Sequence, residues 1–432
     1  MTWARYFDER METMPPAWTR RLEEELLGEQ VERCWEGSPF YRRKLAAAGI
    51  RPEHVERLDD LRLLPFTTKE ELRDSQAADP PFGDFLCADP IDVVRAHLSS
   101  GTTGKPLALA YTEKDLRTSA QIGARAFWAC GARPDDVVFH CLAYGFYTGG
   151  LVDHAAMETT GATVVPVGLG QTARLLELWR DLGPSALFST LTYPEYLAEA
   201  AAERGIEPRA LGLRKLLVTG EPGGQMAPTR RRLEELWGAS LGDSYGLSDV
   251  WGTLAGECEE RDGLHFCGQG ATLAELVEPE DGEPVGIEPG ARGELVLTHL
   301  DRDASPLLRF RTRDVVSVLA LECPCGRTGF RFRVLGRSDD MFRVRGVNVF
   351  PSAVEELLRE LGLDRFAIVL ERFPVEPPVA ILVEGVDGRE DEVVAAVKTR
   401  LSFTCVVREQ TLPRTEGKAK RLYRVYAGEA PP

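Results

Sequence analysis

Eight consecutive residues, Ser99-Ser100-Gly101-Thr102-Thr103-Gly104-Lys105-Pro106, constrain this chain more than any other stretch. Glycines let successive backbone N–H groups turn toward one anion without Cβ obstruction, hydroxyls add donors, and the lysine supplies charge; the run is built to wrap a phosphate. A P-loop NTPase would need a glycine at the position of Ser99, a Ser or Thr in place of Pro106, and a helix directly after. Instead Leu107, Leu109 and Tyr111 alternate with smaller residues, which predicts a strand, and the apolar run at Ile91, Val93 and Val94 predicts another before the loop. Taken alone, the same eight residues also describe a flexible hairpin with no ligand.

The chain has 432 residues, 43% of them hydrophobic, room for two or three domains with sizeable cores. A formal net charge of −16 argues against a nucleic-acid partner, which needs a basic footprint. The opening MTWARYFDER carries charges where a signal peptide has its apolar core, and no apolar run reaches spanning length; a cytoplasmic protein with no membrane partner is expected. Nine scattered cysteines do not suggest a secreted disulfide framework.

The first hundred residues read as helical, with Trp18, Leu22, Leu26 and Val31 on a helical period and Thr67-Thr68 ahead of Glu70-Glu71 as a helix start. Beyond the loop come a helix from about Glu113, a strand at 136–139, and Ala143-Tyr144-Gly145-Phe146-Tyr147-Thr148-Gly149-Gly150. Aromatics interleaved with glycines can line a flat pocket, or can be a turn whose rings pack in the core. Strands at 163–166, 186–188 and 215–218 then alternate with helices, the pattern of a parallel α/β sheet whose ligands lie beyond the carboxyl ends of the strands. Those ends read Thr219-Gly220-Glu221-Pro222 and Asp243-Ser244-Tyr245-Gly246-Leu247-Ser248-Asp249.

Cys258, His265, Cys323 and Cys325 offer four ligands suited to tetrahedral, structural zinc, with Cys323-Pro324-Cys325-Gly326 as a tight knuckle. Cys267 is a spare candidate, and buried free thiols are the alternative. From about Ala271 to Leu319, turns at Asp281-Gly282 and Pro289-Gly290 predict antiparallel strands in a barrel-like subdomain. A small α+β unit closes the chain: helix 352–361, strands 366–370 and 378–384, helix 389–401, a last strand, and the basic tail 413–421.

Together these phrases resemble, over nearly the whole chain, the phenylacetate–CoA ligases and related aryl-CoA ligases of the adenylate-forming enzymes. SSGTTGKP is close to that family's phosphate loop, SPFYRRKLAAAGI and LRLLPFTTKEELRD to its N-terminal cap, Leu308-Arg309-Phe310-Arg311-Thr312-Arg313-Asp314 to its RYRTRD phrase, and Glu416-Gly417-Lys418-Ala419 to its catalytic-lysine loop. The implied fold is α/β: a large acyl-CoA synthetase-like N-terminal adenylation domain (1–337) with parallel sheets and the barrel-like subdomain, and a small, mobile α+β C-terminal domain (338–432).

By that resemblance Ser99 to Lys105 cradle phosphates, Gly220, Glu221 and Pro222 hold the adenine, Asp243 and Gly246 belong to the ATP/AMP-binding set, Tyr245 stacks on adenine, and Ser248 touches the adenylate. Asp314 accepts both ribose hydroxyls, as two carboxylate oxygens can; Arg337 reaches ribose or phosphate, Asp339 is the hinge, Gly346 faces a CoA tunnel, and Lys418 is catalytic. Asp249 would hold Mg2+, although the family's YGLSE has a glutamate there, one methylene longer. Tyr144, Phe146, Tyr147, Gly149 and Trp251 would line the acyl pocket; the loop is two residues shorter than the family's AYGYGLFTGG, and Trp251 replaces an aliphatic residue. The implied activity is ATP-dependent conversion of an aromatic or arylacetic acid to an acyl-adenylate, then a thioester with CoA. A carrier-protein thiol as acceptor, or a nucleotide-binding pseudoenzyme, are the alternatives. Partners would be the acid, ATP and CoA, with a homodimer as the candidate assembly.

Overall fold

The computed structural model describes residues 3–99, 106–415 and 418–432. Ser100, Gly101, Thr102, Thr103, Gly104 and Lys105 of the expected phosphate loop lie outside the described residues, as do Glu416 and Gly417. The larger unit is organised on a twelve-stranded mixed sheet. Its parallel block sets Thr163–Pro166, Val137–His140, Ala186–Thr190, Lys215–Thr219 and Ser240–Leu247 side by side, with helices in the crossovers. Both faces of the inner strands are covered, which is why they are apolar on both sides, while the edge strand Thr163–Pro166 stays partly exposed. Val138, Phe188 and Leu217 pack with Phe127 and Met157, while Phe139, Leu187 and Leu216 pack with Trp179 and Trp237.

At Ser240–Leu247 the sheet changes character: its other neighbour, Trp251–Glu257, is antiparallel, and the register slips twice around Gly246. A Cβ on Gly246 would stand 2.3 Å from the Gly252 carbonyl, so only glycine lets the strands approach there. Leu264–Phe266, Arg331–Arg337, Phe310–Ala320, Arg292–His299, Thr272–Val277 and Pro284–Val285 continue the row. The segment expected as a barrel-like subdomain is therefore an extension of the same sheet. Among the described residues it does not close; it ends at Pro284, which has no N–H to offer a further strand.

Helices Pro16–Gly37, Pro39–Ala47 and Lys69–Ala78 cover the antiparallel end. On the first, Trp18 is exposed and the buried stripe is Leu27, Gln30, Val31 and Cys34, one step round from the face the apolar period indicated. The displacement has a polar cause: Gln30 is buried because its amide exchanges hydrogen bonds with the Arg302 backbone, both at 3.0 Å. The strand expected at 91–94 is also moved. Asp89 caps the N–H of Ile91 in a Pro90–Asp92 turn that leaves Ile91 exposed, and the strand is Arg95–Leu98. No described helix is long and apolar enough to cross a membrane.

A second, four-stranded sheet runs Cys405–Glu409, Val379–Val383, Phe366–Leu370, Leu422–Arg424, with helices Pro351–Glu360 and Glu390–Leu401 and a core of its own around Leu358, Ile368, Ile381 and Val397. Before it, Phe342–Val344 and Val347–Val349 form a hairpin. Its turn residues Arg345 and Gly346 both have positive φ (48° and 87°), the two-residue turn that suits strand twist. This unit docks on helix Tyr193–Ala202: Arg365 and Arg414 pair with Glu199, and the buried Arg359 lies 3.8 Å from Glu195.

Candidate active site

The carboxyl ends of the parallel strands and the antiparallel strands beyond them converge on Asp314. It is the cross-strand partner of Arg337, with a register shift beside the pair that re-aims both side chains. The Tyr245 hydroxyl donates to Asp314 Oδ2 at 2.6 Å, and Arg337 Nη1 donates to Oδ1 at 3.2 Å. Arg337 also grips Asp339 through two hydrogen bonds of 2.9 and 2.8 Å. Burial pushes the Asp314 carboxyl up, and Arg337, Tyr245 and the Lys418 ammonium oppose that shift. Tyr245 is pushed well up by burial and by the adjacent carboxylate. Four expected site residues, Tyr245, Asp314, Arg337 and Asp339, are thus one connected network, with Lys418 within electrostatic reach.

Lys418 is brought there by its neighbour. The Ala419 N–H donates to Glu221 Oε1 at 2.7 Å, while Glu221 Oε2 accepts from both the N–H and hydroxyl of Thr192 at 2.9 Å. Burial raises the Glu221 carboxyl and these donors pull it back. Gly220 makes the turn after the strand with φ of +79°. Pro222 follows in the same half-buried turn, and Asp243 lies beneath it. A Cβ on Gly224 would stand 2.5 Å from the Asp243 carboxyl carbon, and Gln225 Nε2 donates to Asp243 at 3.2 Å. Burial, and then the like charge of Glu257, push Asp243 up to about 7.

Asp249 was expected to hold a divalent cation. Its Oδ2 accepts from Lys69 Nζ at 2.9 Å, and its Oδ1 is buried with no hydrogen-bond partner among the described residues. A carboxylate oxygen of that kind fits a hard cation, which prefers oxygen ligands. Lys69 was missed by sequence reasoning. The only local signal was the Thr68/Glu71 capping box, which fixes the first turn of its helix and thereby where the lysine begins.

The aromatic–glycine loop bridges the two halves of the site. Leu98 N–H, on the strand entering the expected phosphate loop, donates to the Phe146 carbonyl at 2.8 Å, and the Thr148 hydroxyl donates to the Ser248 carbonyl at 3.3 Å. Ser99, the first residue of that loop, is buried, and its hydroxyl accepts from Leu107 N–H at 3.2 Å. Tyr144 is half-buried and meets His154 Nδ1 at 2.8 Å; Phe146, with φ of +59°, and Tyr147 are exposed. Gly149 lies in the first turn of the following helix, where an added Cβ would stand 3.4 Å from the Leu142 side chain.

Trp251 is a correction. It is fully buried, its indole N–H donates to Thr272 Oγ1 at 2.7 Å, and the Arg302 guanidinium lies 4.5 Å over its ring. It packs in the core between the sheet and the N-terminal helices, not in a pocket wall. The cause is that Trp251 opens a strand buried on both faces, so either side of it packs in the core.

The four expected metal ligands meet, although Cys258 and Cys323 are 65 residues apart: all four ligand atoms lie within 4.8 Å of one another. Cys258 and Cys323 sulfurs are 3.8 Å apart, and Cys325 Sγ is 3.4 Å from His265 Nε2. Tetrahedral bonds of about 2.3 Å to sulfur and 2.0 Å to nitrogen would set such ligands about 3.5–3.8 Å apart, so the donor set fits zinc. His265 Nδ1 lies 2.9 Å from the Gly329 carbonyl, the second contact that turns Nε2 inward. Hydrogen bonds from Cys258 and then His265 hold the Cys325 thiol down. Cys267 is not part of the cluster; its thiol turns to the His265 carbonyl. The knuckle is tied to the start of the chain, where the Tyr6 hydroxyl donates to the Cys325 carbonyl at 2.8 Å and buried Glu12 pairs with buried Arg327 at 2.7 Å.

The Asp314 carboxylate bound by Tyr245 and Arg337, a lysine of the second unit within its electrostatic reach and the strand-end turn at Glu221 fit a nucleotide-using enzyme. Residues 42–299 match the AMP-binding enzyme family, to which the chain belongs. It is similar to the phenylacetate-coenzyme A ligase of Thermus thermophilus, with 38% identity over 404 residues, 90% of this chain and 88% of that relative. Among solved structures it matches 2-hydroxyisobutyryl-CoA ligase in the postadenylation state with 2-HIB-AMP at TM-score 0.91 and 31% identity, covering 99% of this chain and 94% of that one. Against the same ligase in the thioesterification state the TM-score is 0.75, at 32% identity over 98% and 92%. The chain's two units are thus arranged as in the first of those states.

Proposed function

We propose that this chain is an acid–thiol ligase that activates an aromatic or arylacetic acid with ATP and passes the acyl group to CoA. The observation that carries the reading is the Ala419–Glu221 hydrogen bond, which fixes the residue after Lys418 to the strand-end turn with Lys418 in electrostatic reach of Asp314. In the first half-reaction a carboxylate oxygen of the acid attacks the α-phosphorus of ATP, the bond to the β-phosphate oxygen breaks, and pyrophosphate leaves. Lys418 stabilises negative charge gathering on the α-phosphate and carboxylate oxygens. Asp314 accepts the two ribose hydroxyls, Tyr245 and the Glu221 turn flank the base, and residues 99–105 cradle the phosphates. Asp249 would hold magnesium, which supplies charge neutralisation on the phosphates.

In the second half-reaction the CoA thiol loses its proton, sulfur attacks the acyl carbon, the carbon–oxygen bond to phosphate breaks, and AMP leaves. We take the domain boundary at 338 and Asp339 as the pivot. Rotation there breaks the Ala419–Glu221 contact, withdraws Lys418 and brings the Gly346 turn to the CoA path. Tyr144, Phe146, Tyr147 and Gly149 are the candidate acyl-pocket residues. Cys258, His265, Cys323 and Cys325 hold a structural zinc, since four protein ligands leave no open position. ATP and CoA as co-substrates make the cytoplasm the expected compartment.

The test is ATP–pyrophosphate exchange over a panel of aryl and arylacetic acids, followed by thioester formation with free CoA. Exchange dependent on one acid class and a CoA product are expected. Exchange without any CoA product would point to a carrier-protein thiol, and no exchange with any acid overturns the reading.

A further inference from the structure

His140 ends the strand Val137–His140, is fully buried, and neither of its ring nitrogens has a hydrogen-bond partner among the described residues. An imidazole carries one donor and one acceptor when neutral, and leaving both unpaired away from water costs stability. Its surroundings do not answer it. The ring stands 5.0 Å from that of Tyr144, 5.0 Å from Phe188 and 5.8 Å from His154. The polar neighbours already have partners: Tyr144 Oη is 2.8 Å from His154 Nδ1, and His154 Nε2 is 3.2 Å from Glu158. With the His154 Nε2 proton directed at Glu158, Tyr144 donates to Nδ1, and its own oxygen keeps lone pairs to accept.

Place in the fold gives these groups a direction. The loop from Ala143 to Gly150 runs from His140 to the Ser248 end of the site, where Thr148 touches the Ser248 carbonyl. Strands Ala186–Thr190 and Lys215–Thr219 separate the strand of His140 from the strand leading to Ser248. An acid whose carboxylate lies at the Ser248 and Lys418 side therefore sends its far end toward Tyr144 and His140.

We propose that His140 and Tyr144 are specificity-determining residues that read a hydroxyl group at the far end of the acid, making the substrate a hydroxylated aromatic or arylacetic acid. A hydroxyl both donates and accepts, which is what His140 lacks and what the Tyr144 oxygen still offers. This rests on the ligase reading above. A site built to hydrogen-bond a substrate hydroxyl rejects the analogue without it strongly, because the buried groups are then left unpaired.

The experiment is ATP–pyrophosphate exchange by the full chain with phenylacetate, its 3- and 4-hydroxy derivatives, and 4-methylphenylacetate as the apolar isostere. The hydroxyl acid should exceed the methyl and unsubstituted acids in kcat/KM by at least about tenfold, as a buried hydrogen-bonding pair allows. His140→Phe and Tyr144→Phe should each shrink that ratio several-fold, and His140→Gln should restore part of it. Tyr144→Phe removes one oxygen and keeps the ring, so it decides the matter if His140→Phe does not fold. Equal use of the hydroxyl and methyl acids by the unaltered chain, or an unchanged ratio in Tyr144→Phe, overturns the inference while leaving the ligase reading intact. No exchange with any acid overturns both.

Discussion

The backbone N–H of Ala419 donates to the Glu221 carboxylate at 2.7 Å across 198 residues of sequence. The residue after Lys418 is thereby fixed to the turn that ends strand Lys215–Thr219, and the small C-terminal unit reaches the strand ends of the large one through main chain.

Lys418→Ala is expected to slow adenylation by at least about 10²–10³-fold, the usual effect of removing one charge-stabilising group. Thioester formation from pre-made acyl-adenylate should fall little. Single-turnover assays of each half-reaction measure the two effects separately; an equal fall in both would mean that Lys418 serves both steps.

Glu221→Ala should act in the same direction but more weakly, lowering adenylation about tenfold, since it frees the Ala419 and Thr192 donors while leaving Lys418 present. Its effect on the second step should be smaller. A loss confined to ATP affinity, with adenylation at saturating ATP unchanged, would assign Glu221 to the base alone.

Trp251→Ala should destabilise the chain by about 3–5 kcal/mol, the range for truncating a large buried ring, because its indole fills the core between Thr272 and Arg302. The ranking of acids should stay as it was. Denaturant unfolding together with the exchange panel checks both, and a changed ranking at full stability would return Trp251 to the pocket.

Asp153 gives a pH prediction. Burial raises it from its ordinary value of 3.8 to about 7, with Thr253 N–H opposing at 2.8 Å. Between those two values the folded chain binds more protons than the unfolded one. Its contribution is fully present below the unfolded value, is lost as pH rises toward 7, and is constant above. Asp243 and Glu23, both raised to about 7, add the same sign. The buried His97, His140 and His299, held below their ordinary 6.5, act with the opposite sign, so the measurement is a difference: from pH 4.5 to 8 the melting temperature of Asp153→Asn should rise relative to that of the unaltered chain, and parallel curves for the two proteins would refute the assignment.

Protein purified without added zinc should contain about one equivalent per chain, and Cys325→Ser should lower both metal content and melting temperature. Metal-free protein with an unchanged melt would refute the site.

Much of this was legible because it is local. The Thr68 cap, the alternating strands and helices, and the glycines at strand ends declare themselves within a few residues. Asp314 could be picked from its RFRTRD context, and the knuckle from Cys323-Pro324-Cys325-Gly326. What failed required knowing which face of an element is covered. Gln30 hid the buried stripe of the first long helix by being polar, and Trp251 looked exposed to ligand because sequence does not say that its strand is buried throughout. The strands after 271 were legible as antiparallel, but whether they close or extend depends on partners far along the chain. For the Lys69–Asp249 contact, 180 residues apart, the Thr68/Glu71 cap marks where the lysine begins but not the partner it reaches.

The hydrogen bond from Tyr6 to the Cys325 carbonyl and the buried Glu12–Arg327 pair attach the beginning of the chain to the cysteine knuckle. With the proposed zinc in that knuckle, chelation should be felt at a site remote from sulfur. Stripping the knuckle would loosen its hold on the first dozen residues and expose their backbone to trypsin, which has Arg5 and Arg10 to cut. The same coupling runs the other way: shortening the N-terminus, or burdening it with a bulky tag, would make the thiols easier to oxidise and the metal easier to lose during handling.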